Sequence, residues 1–220
     1  MDNQLRENLI NSLIEDGYLK TPAIIEAFKK IDRVDFTLDE YKNQAYVNAP
    51  LPIGFGQTIS QPLTVAFMLE LLQPKEGEKI LDVGDGSGWV SALLAYIVGN
   101  PLRQPANGGG KVIGIERILE LKEMAEKNID RYDYIKKGIV EIISGDGTKG
   151  CKKEAPYDKI IAGAAAEFDI SEEWKKQLKI GGRIVAPIGH NITALDKIGK
   201  NEYSKKEYFG FSFVPLISGQ

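Results

Sequence analysis

Leu5, Leu9 and Leu13, with Ile10 and Ile14 beside them, recur at helical spacing until Gly17. The pattern lines one side of a 3.6-residue repeat and predicts an N-terminal helix with an apolar face. Thr21-Pro22 reads as a second helix start, and Ile24, Ile25, Phe28 and Ile31 supply its stripe. Residues 35–59 lose this period, and with Pro50, Pro52, Gly54 and Gly56 among them an ordered loop is expected. Next comes GQTISQP, residues 56–62, and directly behind it the apolar run Leu63-Thr64-Val65-Ala66-Phe67-Met68-Leu69. Ser60 in this stretch has two readings. It is a good helix N-cap before Gln61-Pro62, and a hydroxyl at a helix start on a glycine-containing loop can equally hold a substrate carboxylate.

From Lys79 the pattern changes. Short apolar runs (KILDVG, KVIGIE, GIVEIIS, YDKIIAG, GRIVAPIG) alternate with helical segments (VSALLAYIVG, ILELKEMAEKNI, SEEWKKQL). Such alternation specifies a doubly wound α/β fold, a mostly parallel sheet with helices on both faces. In the first of these helices Val90, Leu93, Leu94, Ile97 and Val98 fall on one stripe, and Gly99 ends it. Residues 100–110, NPLRQPANGGG, stand where a few residues would suffice and read as a surface loop insertion. The aromatic, β-prone tail from Tyr208 to Leu216 is expected to add a late C-terminal strand.

With 220 residues the chain suits one core, so a single domain over 1–220 is expected. Within it, 1–60 form a helical and loop lead-in, and 61–220 form the sheet and C-terminal strand. A net charge of −3 gives no general attraction for a phosphate backbone, which argues against nucleic acid as partner. Every apolar stretch is shorter than the roughly 18 to 20 residues that span a bilayer, and MDNQLRENLI lacks the order of a signal peptide. A cytoplasmic protein without a membrane partner is expected. A single cysteine, Cys151, and a single histidine, His190, count against disulfide, zinc and serine-hydrolase chemistry.

The strongest chemical signal is Leu81-Asp82-Val83-Gly84-Asp85-Gly86-Ser87-Gly88, a strand entering a glycine turn and then a helix. Gly84, Gly86 and Gly88 let the backbone turn sharply and approach a ligand closely. The dinucleotide pattern G-x-G-x-x-G requires glycine at 89, where Trp89 stands. A G-x-G-x-G turn with an acid two residues ahead instead resembles the cofactor loop of S-adenosylmethionine-dependent methyltransferases, with Asp82 near the cofactor's amino group. Glu116, ending the next strand, is suited to both ribose hydroxyls. Asp146, in Ser144-Gly145-Asp146-Gly147, is suited to the adenine amino group. Three acids at successive strand ends outline one crevice.

The stretches GQTISQP, LDVGDGSGW, KVIGIE, GDG, APYDKIIAGAAA, QLKIGGRIVAPIG and GFSFVPL resemble, in that order, the protein-L-isoaspartate (D-aspartate) O-methyltransferases. The resemblance runs from about Leu19 to the C-terminus. It implies a class I, Rossmann-like methyltransferase sheet and an enzyme that methylates the free α-carboxylate of L-isoaspartyl residues in damaged peptides and proteins. The methyl ester then closes to a succinimide, which initiates repair. By the family pattern Ser60 orients the acceptor carboxylate. Asp82, Gly84, Gly86, Gly88, Glu116, Asp146 and Gly147 hold S-adenosylmethionine and its product S-adenosylhomocysteine, without a metal. Ile53, Gly54, Gln57, Thr58, Ile59 and Val214 contact the peptide, and a monomer is expected. Four positions depart from the pattern: Asp85 replaces a small neutral residue, Leu63 a His or Tyr, Asn48 an acid, and Glu167 a proline. The rival readings are a same-fold methyltransferase with a small-molecule or nucleic-acid acceptor, and a binding module without turnover.

Overall fold

A computed structural model describes residues 2–99 and 109–219. In chain order it contains α1 (Asp2–Glu15), α2 (Pro22–Lys30), the hairpin strands β1 (Leu51–Gly54) and β2 (Gln57–Ile59), α3 (Pro62–Leu72), β3 (Lys79–Val83) and α4 (Trp89–Gly99). There follow β4 (Lys111–Glu116), α5 (Leu119–Asp130), β5 (Val140–Ser144), β6 (Tyr157–Ala162), α6 (Glu172–Gln177), β7 (Leu178–Ile188), β8 (Asn191–Lys197) and β9 (Tyr203–Phe209). The 100–110 insertion lies outside the described residues over positions 100–108.

Seven strands form one sheet in the order β5-β4-β3-β6-β7-β8-β9. The five from β5 to β7 run parallel, and β8 and β9 add antiparallel. The doubly wound, mostly parallel fold expected from the alternation is therefore the one found. The parallel strands read as near-continuous apolar runs because helices cover both faces. The chain leaves β3 for β4 on one side and returns from β5 to β6 on the other. That reversal opens a crevice beyond the carboxyl ends of β3, β4 and β6.

The helical lead-in is part of the main core. Ile10 and Leu13 of α1 and Ile24, Ala27 and Phe28 of α2 join one apolar cluster with Leu69 of α3 and Leu93 of α4. This packing explains α4, whose stripe suggested a single apolar face. Ser91, Ala92, Leu93, Leu94, Ala95, Ile97 and Val98 are all buried, because α2 packs against the helix from outside while β4 lies beneath it.

Two expectations are corrected. The stretch 35–59, expected as loop, carries the end of a 3₁₀ turn at Arg33–Phe36, a second at Asp39–Gln44 and the β1–β2 hairpin. The hairpin closes through Gly54, Phe55 and Gly56, all with positive φ, so the glycines that read as loop punctuation are the turn of a ladder. The late strand is present but lies earlier than the aromatic tail suggested. β9 ends at Phe209, and beyond Gly210 the described residues form an isolated parallel bridge, Pro215 to Ala165. Ala165 N donates to Val214 O at 2.8 Å and Leu216 N donates to Ala165 O at 2.7 Å, so the tail is tied across the sheet end as an extended segment.

Candidate active site

The glycine turn follows directly from β3 and leads into α4. Gly84 and Gly86 have φ of 75° and 60°, which side-chain-bearing residues rarely adopt. A Cβ on Gly86 would stand 3.2 Å from Ile53 Cδ1, a tight approach that would displace the Ile53 tip of the hairpin. Gly88 serves packing instead. A Cβ there would lie 2.9 Å from Ile129 in α5, and Gly88 does not line the cavity.

A cavity of about 270 Å³ opens over this turn. Its floor comes from Asp82, Gly84, Asp85, Gly86 and Trp89, one wall from Glu116, Arg117 and Ile118, and another from Gly145, Gly147 and Ile161 to Ala164. The hairpin residues Ile53, Phe55, Gln57, Thr58 and Ile59 face this floor together with Ser60, and the tail from Val214 to Ile217 closes the remaining side. Of the residues singled out from sequence, Gly54, Gly88 and Asp146 are not on the cavity wall. Val65, Met68 and Ile118 line it without having been singled out. Their signal was only apolar character, which core residues share.

The strand-end acids are anchored differently. Asp82 is buried and accepts a hydrogen bond from Ser91 Oγ of α4 at 3.0 Å. Burial pushes its pKa up to about 6. Glu116 accepts from the backbone N–H of Gly86 at 3.0 Å, Arg117 at 2.8 Å and Ile118 at 2.9 Å. It ties the end of β4 to the glycine turn and keeps lone pairs for a ligand hydroxyl. Asp146 turns the other way: its Oδ1 takes Thr148 N and Oγ1, and its Oδ2 takes Gly219 N at 3.1 Å. It shapes the Gly145–Gly147 turn and ties the C-terminal tail to it.

Ser60 is not a helix cap. The helix begins at Pro62, the residue at its boundary is Gln61, and Gln61 makes no side-chain capping bond. Capping comes from a distance instead, since Asn48 Oδ1 accepts from Leu63 N at 3.0 Å. That leaves the Ser60 hydroxyl on the cavity wall with no hydrogen bond to a described residue. Behind it lies Arg33, a residue sequence reasoning missed. Its buried guanidinium donates to the carbonyls of Ala45, Val47, Ala49 and Ser60 and sits 5.3 Å from the centroid of the Trp89 ring. Burial lowers its pKa to about 9, so it stays cationic at neutral pH.

Among the described residues no group of three or more His, Cys, Asp or Glu side chains is placed to hold a metal ion. The residues do suit a cationic nucleoside such as S-adenosylmethionine: bare backbone at Gly84 and Gly86, carboxylates at Asp82 and Glu116, and apolar walls for a flat base. No helix among the described residues is long and apolar enough to cross a membrane.

Comparison with known proteins gives a consistent result. The sequence profile of the protein-L-isoaspartate(D-aspartate) O-methyltransferase family matches residues 3–220. The protein-L-isoaspartate O-methyltransferase of Staphylothermus marinus is 41% identical over 216 residues, covering 96% of this chain and 93% of that one. Protein-L-isoaspartate O-methyltransferase 2 of Archaeoglobus fulgidus is 44% identical, covering 97% and 93%. A crystal structure of a Plasmodium falciparum protein-L-isoaspartate O-methyltransferase, described as putative and in complex with S-adenosyl-L-homocysteine, superposes with a TM-score of 0.84 at 25% identity. That match covers 97% of this chain and 99% of that one.

Proposed function

This chain belongs to the protein-L-isoaspartate (D-aspartate) O-methyltransferase family, and from that premise we propose which of its residues carry the reaction. The enzyme transfers a methyl group from S-adenosylmethionine to the free α-carboxylate of L-isoaspartyl residues in peptides and proteins. The resulting ester closes to a succinimide and so starts repair. S-adenosylmethionine, when bound, supplies the electrophilic sulfonium methyl group.

Gly84 and Gly86 give the close backbone approach, Asp82 receives the amino end and Glu116 the ribose hydroxyls. Gly147 lies along the base, with Asp146 holding its turn in shape and Gly88 setting the turn against α5. Ser60 donates its hydroxyl to the acceptor carboxylate and fixes its approach. Ile53, Thr58, Ile59 and Val214 hold the flanking peptide and exclude water, with Gly54 and Gln57 completing the hairpin. An acceptor carboxyl has an ordinary pKa near 4 and is ionised at neutral pH, so no general base is needed. Alignment and dryness remain as the protein's contribution.

One observation carries this assignment: one cavity holds the glycine cradle with its carboxylates and, facing them, a serine hydroxyl that has no hydrogen-bond partner among the described residues. The whole of 1–220 acts as one domain, supported by the core that α1 and α2 share with α3 and α4. We place the enzyme in the cytoplasm as a monomer that uses no nucleic acid or membrane. Supporting this are the net charge of −3 and an outer strand, β9, guarded by Lys205, Lys206 and Glu207. The test is methyl transfer to a peptide with one isoaspartyl residue beside its aspartyl twin. Transfer to the first alone supports the assignment, and equal or no transfer to both contradicts it.

A further inference from the structure

Asp85, in the middle of the glycine turn, has its carboxyl beside the Asp82 carboxylate and the Ser91 hydroxyl. It is 7% exposed, and neither carboxyl oxygen has a hydrogen-bond partner. A buried carboxylate without partners is costly by several kcal/mol, so its presence requires an explanation. Its position supplies one. The Asp85 Cγ lies 3.2 Å from where a Cβ on Gly114 would stand, and Gly114 is the register partner of Asp82 in the neighbouring strand. The space left by the missing side chain of Gly114 is shared by Ile142 Cδ1 and the Asp85 carboxyl, a socket that holds Asp85 over the β3–β4 pair, beside Asp82.

The socket is short of protons. The Ser91 hydroxyl supplies one, directed to Asp82. The other charged group that bears most strongly on the pair is Glu116 of β4, also an acid. Two neighbouring buried carboxyls with one hydroxyl between them are satisfied only when one carboxyl is itself protonated and donates to the other. Burial, and then the charge of Asp82, raises the pKa of Asp85 well above the ordinary range, which makes Asp85 the protonated member.

We propose that Asp85 is a proton-linked positioning residue: it donates a proton to Asp82 in the free protein and releases that proton when the cationic cofactor binds. The inference rests on the assignment of S-adenosylmethionine to this cavity. Only an O–H bond of the Asp85 carboxyl breaks, and the proton passes to solvent buffer. Two ionised carboxylates then stand under a ligand that brings a sulfonium and an ammonium charge. The positive charge of the ligand replaces the proton that held the empty socket together.

The test is calorimetric titration of the full chain with S-adenosylmethionine near neutral pH in buffers of different ionisation enthalpy. Wild type is compared with Asp85→Asn and Asp85→Ser, neither of which has a carboxyl proton to lose at 85. The dependence of the observed heat on buffer counts protons released. Wild type is expected to release a sizeable fraction of one proton more than either variant. The serine variant, which keeps a donor for Asp82, is expected to bind within about threefold of wild type. Binding with the same proton count in all three proteins overturns the inference and leaves the cofactor assignment standing. No binding to wild type overturns both.

Discussion

The guanidinium of Arg33 donates to the backbone carbonyl of Ser60 at 3.1 Å, and the same group holds three carbonyls of the 45–49 segment. One buried cation therefore fixes both the serine and the segment that carries Asn48. Arg33→Lys keeps the charge but cannot span four acceptors. We expect it to lower stability by about 2 to 4 kcal/mol and to reduce kcat by more than tenfold, since the Ser60 backbone is released. Denaturant unfolding and steady-state kinetics on one preparation check both effects.

Asn48 and Ser60 have separable roles. Asn48→Ala removes the acceptor for Leu63 N and is expected to cost about 1 kcal/mol, while Asn48→Asp retains the cap and its stability. Ser60→Ala removes no side-chain hydrogen bond to a described residue and should leave the melting temperature unchanged. Thermal unfolding of the three variants distinguishes these outcomes. A Ser60→Ala loss as large as that of Asn48→Ala would restore the capping role.

Stability should fall as pH rises above about 4, because buried Asp82 and Asp85 keep protons that the unfolded chain gives up at ordinary carboxyl pKa. Where the native state binds more protons than the unfolded state, raising the pH favours unfolding. The loss begins near the unfolded pKa and continues through about 6, the raised value of Asp82. Asp85→Asn should flatten this dependence and be the more stable protein near pH 8. Denaturant midpoints across the range, without cofactor, provide the measurement.

Gly88→Ala should act on folding and only indirectly on the cofactor. Its φ of 90° and the 2.9 Å approach to Ile129 predict a loss of about 2 to 4 kcal/mol, with cofactor affinity kept in whatever protein remains folded. Glu116→Gln should do the reverse and weaken cofactor binding about tenfold or more while the fold holds. Unfolding curves and cofactor titrations on both variants separate the two.

The sheet and its switch point were legible because β3 and β4 are largely apolar on both faces and the glycines between β3 and α4 lie within five residues of one another. What escaped depends on contacts distant along the chain. Asn48 caps a helix from 15 residues away, and Arg33 reaches Ser60 across 27. Neither leaves a local pattern. Asp146 looked like a ligand acid from its place after β5, but its oxygens are taken by Thr148 and by Gly219, 73 residues on. The β8–β9 hairpin escaped because β9 carries Lys205, Lys206 and Glu207 and reads as surface, while the aromatic tail beyond it took the eye. The hairpin carrying Ile53 and Ile59 escaped because its strands are only 4 and 3 residues long.

The central claim is that the cavity-facing hydroxyl of Ser60 orients an isoaspartyl carboxylate toward the cofactor's methyl group. It is tested most directly by single-turnover methyl transfer to an isoaspartyl peptide, wild type beside Ser60→Ala, both saturated with S-adenosylmethionine. The account predicts unchanged cofactor affinity and a transfer rate lower by about 100-fold in the variant. An undiminished rate in Ser60→Ala would contradict it.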